Sequence, residues 1–148
     1  MSRIIIRITL GVIMMLASVV SVSGCATEPK IDVDEVRAYA DPITEDTLIG
    51  INADNYAQFS EHFDQTMKSV MSEANFIQLS VVLKPIIGDY VSKEFWTVEK
   101  QAEYTVVKYK VKYTEEPADV IVTVSFDEIE GEMYLSGLWF DSPKLRQQ

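Results

Sequence analysis

The chain has 148 residues and a formal net charge of −10, from 13 Lys and Arg against 23 Asp and Glu. Nucleic acids are bound through cationic contacts with phosphate, so this balance argues against a nucleic-acid partner and against docking flat on anionic lipid. One histidine and one cysteine are too few for a zinc site made of such ligands, and we expect neither a metal site nor a cofactor.

Residues 1–24 have the pattern of a signal peptide. Arg3 and Arg7 precede an uncharged apolar run over residues 8–22, which is about the length of a signal-peptide core. An uncleaved membrane-spanning helix is the alternative, but such a helix needs about 20 apolar residues. The positive-inside rule places the two arginines in the cytoplasm, so the rest of the chain is expected outside it.

The apolar run ends in Val22-Ser23-Gly24-Cys25, an aliphatic residue followed by two small residues and a cysteine. This order resembles the lipobox of prokaryotic membrane lipoproteins. The resemblance implies cleavage between Gly24 and Cys25 and a lipid, such as palmitate-containing diacylglycerol, on the Cys25 thiol. The anchor would hold the domain on the outer face of the cell membrane, or in the periplasm or outer membrane of a source with two membranes. A free buried thiol at Cys25 is the other interpretation.

Residues 25–40 are polar and acidic, with Pro29 early in the stretch, and predict a lipidated tether with a frayed helix from Asp34 onward. A lipid on Cys25 leaves the mature chain without a disulfide, so packing alone has to stabilise it. We expect one domain over residues 41–142 and a short tail over residues 143–148.

Helices are predicted in the first half of this domain. Asp41-Pro42 combines an N-cap acceptor with a proline at the first helical position, which predicts a helix start. A third helix is predicted from the cap Ser72 to Pro85 and Gly88. Between them, apolar residues at spacings of three and four predict a second helix that breaks near Asp64. These residues are Tyr56, Phe59, Phe63, Met67 and Val70.

From residue 90 onward the apolar period changes to two. In residues 104–114, apolar positions alternate with lysines, which is typical of a strand with one buried and one wet face. Strands are predicted over residues 90–98, 104–114, 120–126 and 133–140. The fold class is therefore α+β, with two to three N-terminal helices packed on one face of a curved four-stranded antiparallel sheet.

Several short motifs in residues 45–140 resemble a prokaryotic domain-of-unknown-function family, number 3887, within the cystatin-like or nuclear transport factor 2-like cones. The resemblance implies a curved sheet wrapped over helices, often with a pocket between them. It implies no activity, because the family's function is unassigned. The motifs are Leu48-Ile49-Gly50-Ile51-Asn52, Asp54-Asn55-Tyr56 with Phe59, Gly88-Asp89-Tyr90, Tyr104-Thr105-Val106-Val107 and Gly137-Leu138-Trp139-Phe140.

Aromatic residues are the first candidates for a binding site, because several are predicted to approach the interface between helices and sheet. They either fill the core or line a pocket for a small apolar ligand. This set is Tyr56, Phe59, Phe63, Tyr109, Tyr113, Phe126, Trp139 and Phe140.

A basic stripe is the second candidate. Lys108, Lys110 and Lys112 alternate along one predicted strand. They form either a solvated face, paired with neighbouring acids or acting as an edge that resists aggregation, or a docking strip for an anionic partner.

We expect a non-catalytic binding domain for a small ligand or a protein. One alternative is an enzyme that pairs Asp64 or Asp127 with Tyr109 for acid–base chemistry in the cone pocket. Another is a purely structural envelope factor. His62 is the only histidine and lies off the apolar stripe, so we expect it at the surface.

Overall fold

The computed structural model of the protein describes residues 30–148. The predicted signal peptide, the cleavage point at Gly24 and the lipid on Cys25 lie outside the described residues. Within residues 30–148, no helix has both the length and the apolar character needed to cross a membrane.

The first helix, α1, spans Val33–Asn52, and its N-cap is Asp32, whose carboxylate accepts hydrogen bonds from the amides of Asp34 and Glu35. The predicted helix start at Asp41-Pro42 is therefore wrong, and residues 33–40, predicted as a tether with a frayed helix from Asp34, belong to α1. Val36 and Ala40 are buried on the helix face that packs into the core. This burial and the cap at Asp32 favour helix over residues 33–40, and the helix continues through Pro42.

Three shorter helices follow: α2 over Tyr56–Phe59, α3 over Gln65–Val70 and α4 over Glu73–Ile87. The predicted break near Asp64 is confirmed, since Asp64 Oδ1 caps α3 by accepting from the Met67 amide at 2.6 Å. The predicted cap at Ser72 is also confirmed. Val70 was expected on the apolar stripe, but its surface is 62% exposed. The stripe assumed one continuous helix, and the break changes which face points inward.

Four strands form one antiparallel meander in the order β1-β2-β3-β4. They are β1 over Tyr90–Gln101, β2 over Tyr104–Tyr113, β3 over Val120–Ile129 and β4 over Glu132–Asp141. Register shifts interrupt the β1–β2 pairing near Val91 and Trp96 and the β3–β4 pairing near Ser136. Such bulges bend and twist a sheet.

The helices cover one face of this sheet. Val107, Tyr109 and Phe126 point toward them and are fully buried; Tyr39 of α1 meets Phe126 edge-on with ring centroids 5.2 Å apart. The predicted α+β architecture is confirmed, with four α-helices among residues 30–148 rather than two to three. We call the opposite side, which carries Lys108, Thr123 and Trp139, the free face of the sheet.

The chain ends in a short 3₁₀ helix over Leu145–Gln147. Leu145 packs against the core, and the Lys144 amide donates to Glu116 Oε2 at 3.1 Å. Part of the predicted tail therefore contacts the domain.

Candidate functional site

The interface between helices and sheet is filled by aromatic rings. Phe59, Phe63 and Phe126 have at most 1% of their surface exposed, and Tyr109 has none. The Phe59 ring lies 4.8 Å from that of Phe63 and 4.6 Å from that of Phe76, measured between centroids. Contacts at these distances leave the rings packed on one another, so they act as core here.

The remaining aromatic candidates divide between the core and the free face. Tyr56 is half-buried and donates to the Met71 carbonyl at 2.9 Å, while Tyr113 is buried and Phe140 packs against the core. Trp139 was expected in the same interface, and this is wrong. Phe140 pairs with Val122 on the inner face, so its neighbour Trp139 has to point outward. Its surface is 56% exposed.

Trp139 borders a groove on the free face, which we call the free-face groove. Its volume is about 670 Å³. The register aligns Val106 with Ser125 and Ser125 with Gly137, and the next row aligns Lys108, Thr123 and Trp139. Val106 and Ser125 are buried although they lie on the free face, so they form the groove floor. The lining residues are Gln101, Ala102, Tyr104, Val106, Lys108, Thr123, Ser125, Ser136 and Trp139.

A glycine sets the position of the Trp139 ring. A Cβ atom on Gly137 would lie 2.6 Å from Ser125 Oγ and even closer to Cη2 of Trp139. Residues i and i+2 of a strand share a face, so the indole lies over the space that a side chain at residue 137 would occupy. The pair Gly137 and Trp139 thus forms one wall of the groove.

Two serine hydroxyls lie at the groove floor. Ser136 Oγ donates to the Ser125 carbonyl at 3.1 Å, and the two hydroxyl oxygens are 3.0 Å apart. This contact sits where the bulge near Ser136 interrupts the β3–β4 pairing. The sequence alone does not indicate the bulge near Ser136 or Gly137 as a feature of a binding site. The available signal was Gly137 two residues before Trp139, while the contact between Ser125 and Ser136 depends on the bulge.

The three lysines of the predicted docking strip all lie on the free face, each beside a neighbouring side chain. Lys108 Nζ lies 3.3 Å from Glu99 Oε1, and Lys112 Nζ lies 2.6 Å from Asp119 Oδ1. Lys110 Nζ sits 5.3 Å from the centroid of the Trp96 ring. Lys108 also lines the groove. The docking strip stays a prediction.

The acid–tyrosine pairs predicted for catalysis are not brought together as hydrogen-bonded pairs. Tyr109 Oη donates to Asp41 Oδ1 at 2.9 Å, whereas Asp64 caps α3 and Asp127 pairs with Tyr134 across β3 and β4. Burial, followed by the hydrogen bond to Asp41, raises the pKa of Tyr109 far above its usual range. The phenol therefore stays neutral and serves as a buried donor.

Sequence reasoning missed a polar seam between α1 and β1, formed by Arg37, Asp41, Glu45, Tyr90 and Lys93. Arg37 Nε donates to Asp41 Oδ2 at 3.1 Å, and Lys93 Nζ lies 3.2 Å from Glu45 Oε2. Tyr90 Oη donates to Glu45 at 2.8 Å. The available signal was the spacing of four between residues 37, 41 and 45, which share a helix face. The helix start predicted at Asp41 obscured this spacing, because it left Arg37 outside the helix.

His62 is partly exposed, and its Nε2 lies 3.7 Å from Asp46 Oδ2. Within residues 30–148, no group of three His, Cys, Asp or Glu side chains is arranged to hold a metal ion.

A search of curated proteins gave no match. A provisionally assigned polyketide cyclase from Sinorhizobium meliloti, known from a crystal structure, is similar at 16% identity and a TM-score of 0.42. That likeness covers 68% of this chain and 94% of the other. The family model for the protein of unknown function DUF3887 matches residues 46–138, more than half of the sequence, and the chain belongs to this family.

Proposed function

We propose that this protein is a membrane-tethered lipoprotein whose domain works outside the cytoplasm as a non-catalytic binding module for a small ligand. The free-face groove would be its binding site. The observation that carries the proposal is a groove of about 670 Å³ with a half-exposed tryptophan on its wall. A volume in this range is typical of small-molecule sites.

The groove is a better site than the interior of the cone. The rings of Phe59, Phe63 and Phe76 occupy the helix–sheet interface at centroid distances under 5 Å. A ligand there would have to displace packed side chains, which costs the contacts that a disulfide-free core depends on. The groove on the free face requires no such rearrangement.

Binding is favoured over acid–base catalysis by the surroundings of Tyr109. Its hydroxyl is committed to Asp41, and the ring has no exposed surface. A general acid needs access to the substrate proton within hydrogen-bond distance. This supports a structural role for the tyrosine rather than a catalytic one.

The anchor is tested by growing cells with a labelled fatty acid. The wild-type chain is expected to incorporate the label, and Cys25→Ala is expected to lose it entirely because the acylated thiol is gone. Ser23→Ala keeps a small residue before the cleavage point, so that variant should stay labelled. Label retained in Cys25→Ala would refute the lipid anchor without bearing on the groove.

The groove is tested by titrating the full chain with a set of small aromatic fragments. Gly137→Ala should weaken the affinity of any groove-binding fragment at least tenfold, because the new methyl group displaces the indole of Trp139. Trp96→Phe is the matched control, since Trp96 lies on the free face outside the groove lining. Unchanged affinity in Gly137→Ala would refute the site. If Gly137→Ala folds poorly, Trp139→Ala replaces it, because that side chain is half-exposed.

A further inference from the structure

The hydrogen-bond pattern at the groove floor determines which polar group a ligand has to bring. Ser136 has one hydroxyl proton, and it is used on the Ser125 carbonyl. A hydroxyl has a single proton, so we assign Ser125 as the donor in the 3.0 Å contact between the two hydroxyl oxygens. Both protons are committed, whereas Ser125 Oγ keeps two acceptor positions and Ser136 Oγ keeps one. The floor accepts hydrogen bonds and does not donate them.

Lys108 and Gln101 are the cationic and amide donors in the groove lining, and both contact Glu99. Lys108 Nζ lies 3.3 Å from Glu99 Oε1, and Gln101 Nε2 donates to the same oxygen at 2.9 Å. Glu99 is the register partner of Val106 on the free face. These contacts hold both donors beside an anionic side chain, so an anionic ligand gains little from them.

Apart from the hydroxyl groups of Thr123 and Tyr104, the rest of the groove lining is mainly apolar. The Val106 side chain lies on the floor, and the rings of Tyr104 and Trp139 contribute to the lining. Aromatic rings pack favourably on one another in offset or edge-to-face contacts. A planar ring therefore complements these surfaces better than a branched aliphatic group does.

We infer that the free-face groove selects a small planar aromatic molecule that carries a hydroxyl or N–H donor at its edge, and that Ser125 Oγ accepts this hydrogen bond. The inference rests on the proposed function and names the ligand class for the same site. We expect a ligand with a donor to bind more tightly than an ether or a carboxylate of the same size, because only the donor can bond to Ser125 Oγ.

The test compares 2-naphthol with 2-methoxynaphthalene by isothermal titration calorimetry of the full chain. The two molecules share the ring system, but only the first has a donor. We expect 2-naphthol to bind roughly five- to tenfold more tightly, the factor that one net hydrogen bond contributes. Ser125→Ala should abolish this preference while the Ser136 bond to the residue 125 carbonyl remains. Ser92→Ala, on β1 and outside the groove lining, should keep it.

The outcomes separate the inference from the proposed function. Equal affinities in the wild-type chain, or a preference that survives in Ser125→Ala, would overturn the donor assignment and leave the groove as a binding site. If neither naphthalene binds while other aromatic fragments do, the ligand class is wrong. If no aromatic fragment binds, the proposed function fails together with the inference.

Discussion

Tyr109 and Tyr113 lie on the same strand and the same buried face, but only one has a hydrogen-bond partner. Tyr109 donates to Asp41 at 2.9 Å, whereas the hydroxyl of Tyr113 has no partner within the described structure. Tyr109→Phe should lower the free energy of unfolding by about 1–2 kcal/mol, because a buried hydrogen bond to a charged group is lost. Urea denaturation measures this, and an unchanged midpoint would show that the bond does not stabilise the fold.

Tyr113→Phe serves as the matched variant and should behave in the opposite way. Removing a buried hydroxyl that lacks a partner should leave stability unchanged or raise it by up to about 1 kcal/mol. The same urea titration measures it. A loss comparable to that of Tyr109→Phe would mean that the Tyr113 hydroxyl is hydrogen-bonded in solution.

The pH dependence of stability follows from the same residues. Burial raises the pKa of Tyr113, and burial with the Asp41 hydrogen bond raises that of Tyr109. Below the unfolded pKa of about 10 both phenols are neutral in the folded and the unfolded chain, and as pH rises above it the unfolded phenols ionise first, which favours unfolding. The free energy of unfolding should fall above about pH 10, and less steeply in Tyr113→Phe. Identical slopes for variant and wild type would contradict the shift at Tyr113.

At the residue scale, the alternation of residues 104–114 was enough to predict which side chains of β2 point inward, because strand geometry has a strict period of two. The partner of Tyr109 was not predictable in the same way. A hydrogen bond across 68 positions of sequence depends on how α1 lies on the sheet, and the residues of α1 before Asp41 had been assigned to the tether.

At the scale of elements, α1 offers a direct test of where the folded domain begins. Ala40 is fully buried, whereas Ala38 on the same helix is exposed. Ala40→Leu should cost about 1–3 kcal/mol through overpacking, while Ala38→Leu should change stability by less than about 0.5 kcal/mol. Thermal or urea denaturation of both variants measures the difference. Two neutral substitutions would mean that residues 33–40 behave as a tether after all.

Helix boundaries were predictable where a capping residue stood beside a clear apolar pattern, as at Ser72 and Asp64. The start of α1 was not, because Asp41-Pro42 has the local chemistry of a helix start while Asp32 provides the actual cap. Asp32 and Asp41 are both local signals for a helix start, and the burial of Val36 and Ala40 favours the helix that Asp32 caps. The groove was also beyond sequence reasoning, since it requires the β3–β4 register, a bulge and Gly137 in one place.

At the scale of the whole molecule, one face of the sheet packs against the helices and the other carries the groove that we propose as the binding site. The helices and most aromatic rings occupy the inner face, and the free face carries Lys108, Lys110, Lys112, Trp96 and Trp139. If the chain is anchored through Cys25, α1 begins eight residues after it, at Val33. A linker this short would keep the domain within roughly 20 Å of its anchor, so we expect it to take ligands near the membrane surface.

The central claim is that ligands enter the free-face groove and leave the helix–sheet interface undisturbed. Backbone amide shifts of the isotopically labelled full chain, followed during titration with 2-naphthol, test it most directly. We expect the largest changes in amide chemical shift in residues 104–108, 123–125 and 136–139, which surround the groove. Changes concentrated instead at Phe59, Phe63 and Phe76 would place the ligand inside the cone and contradict the account.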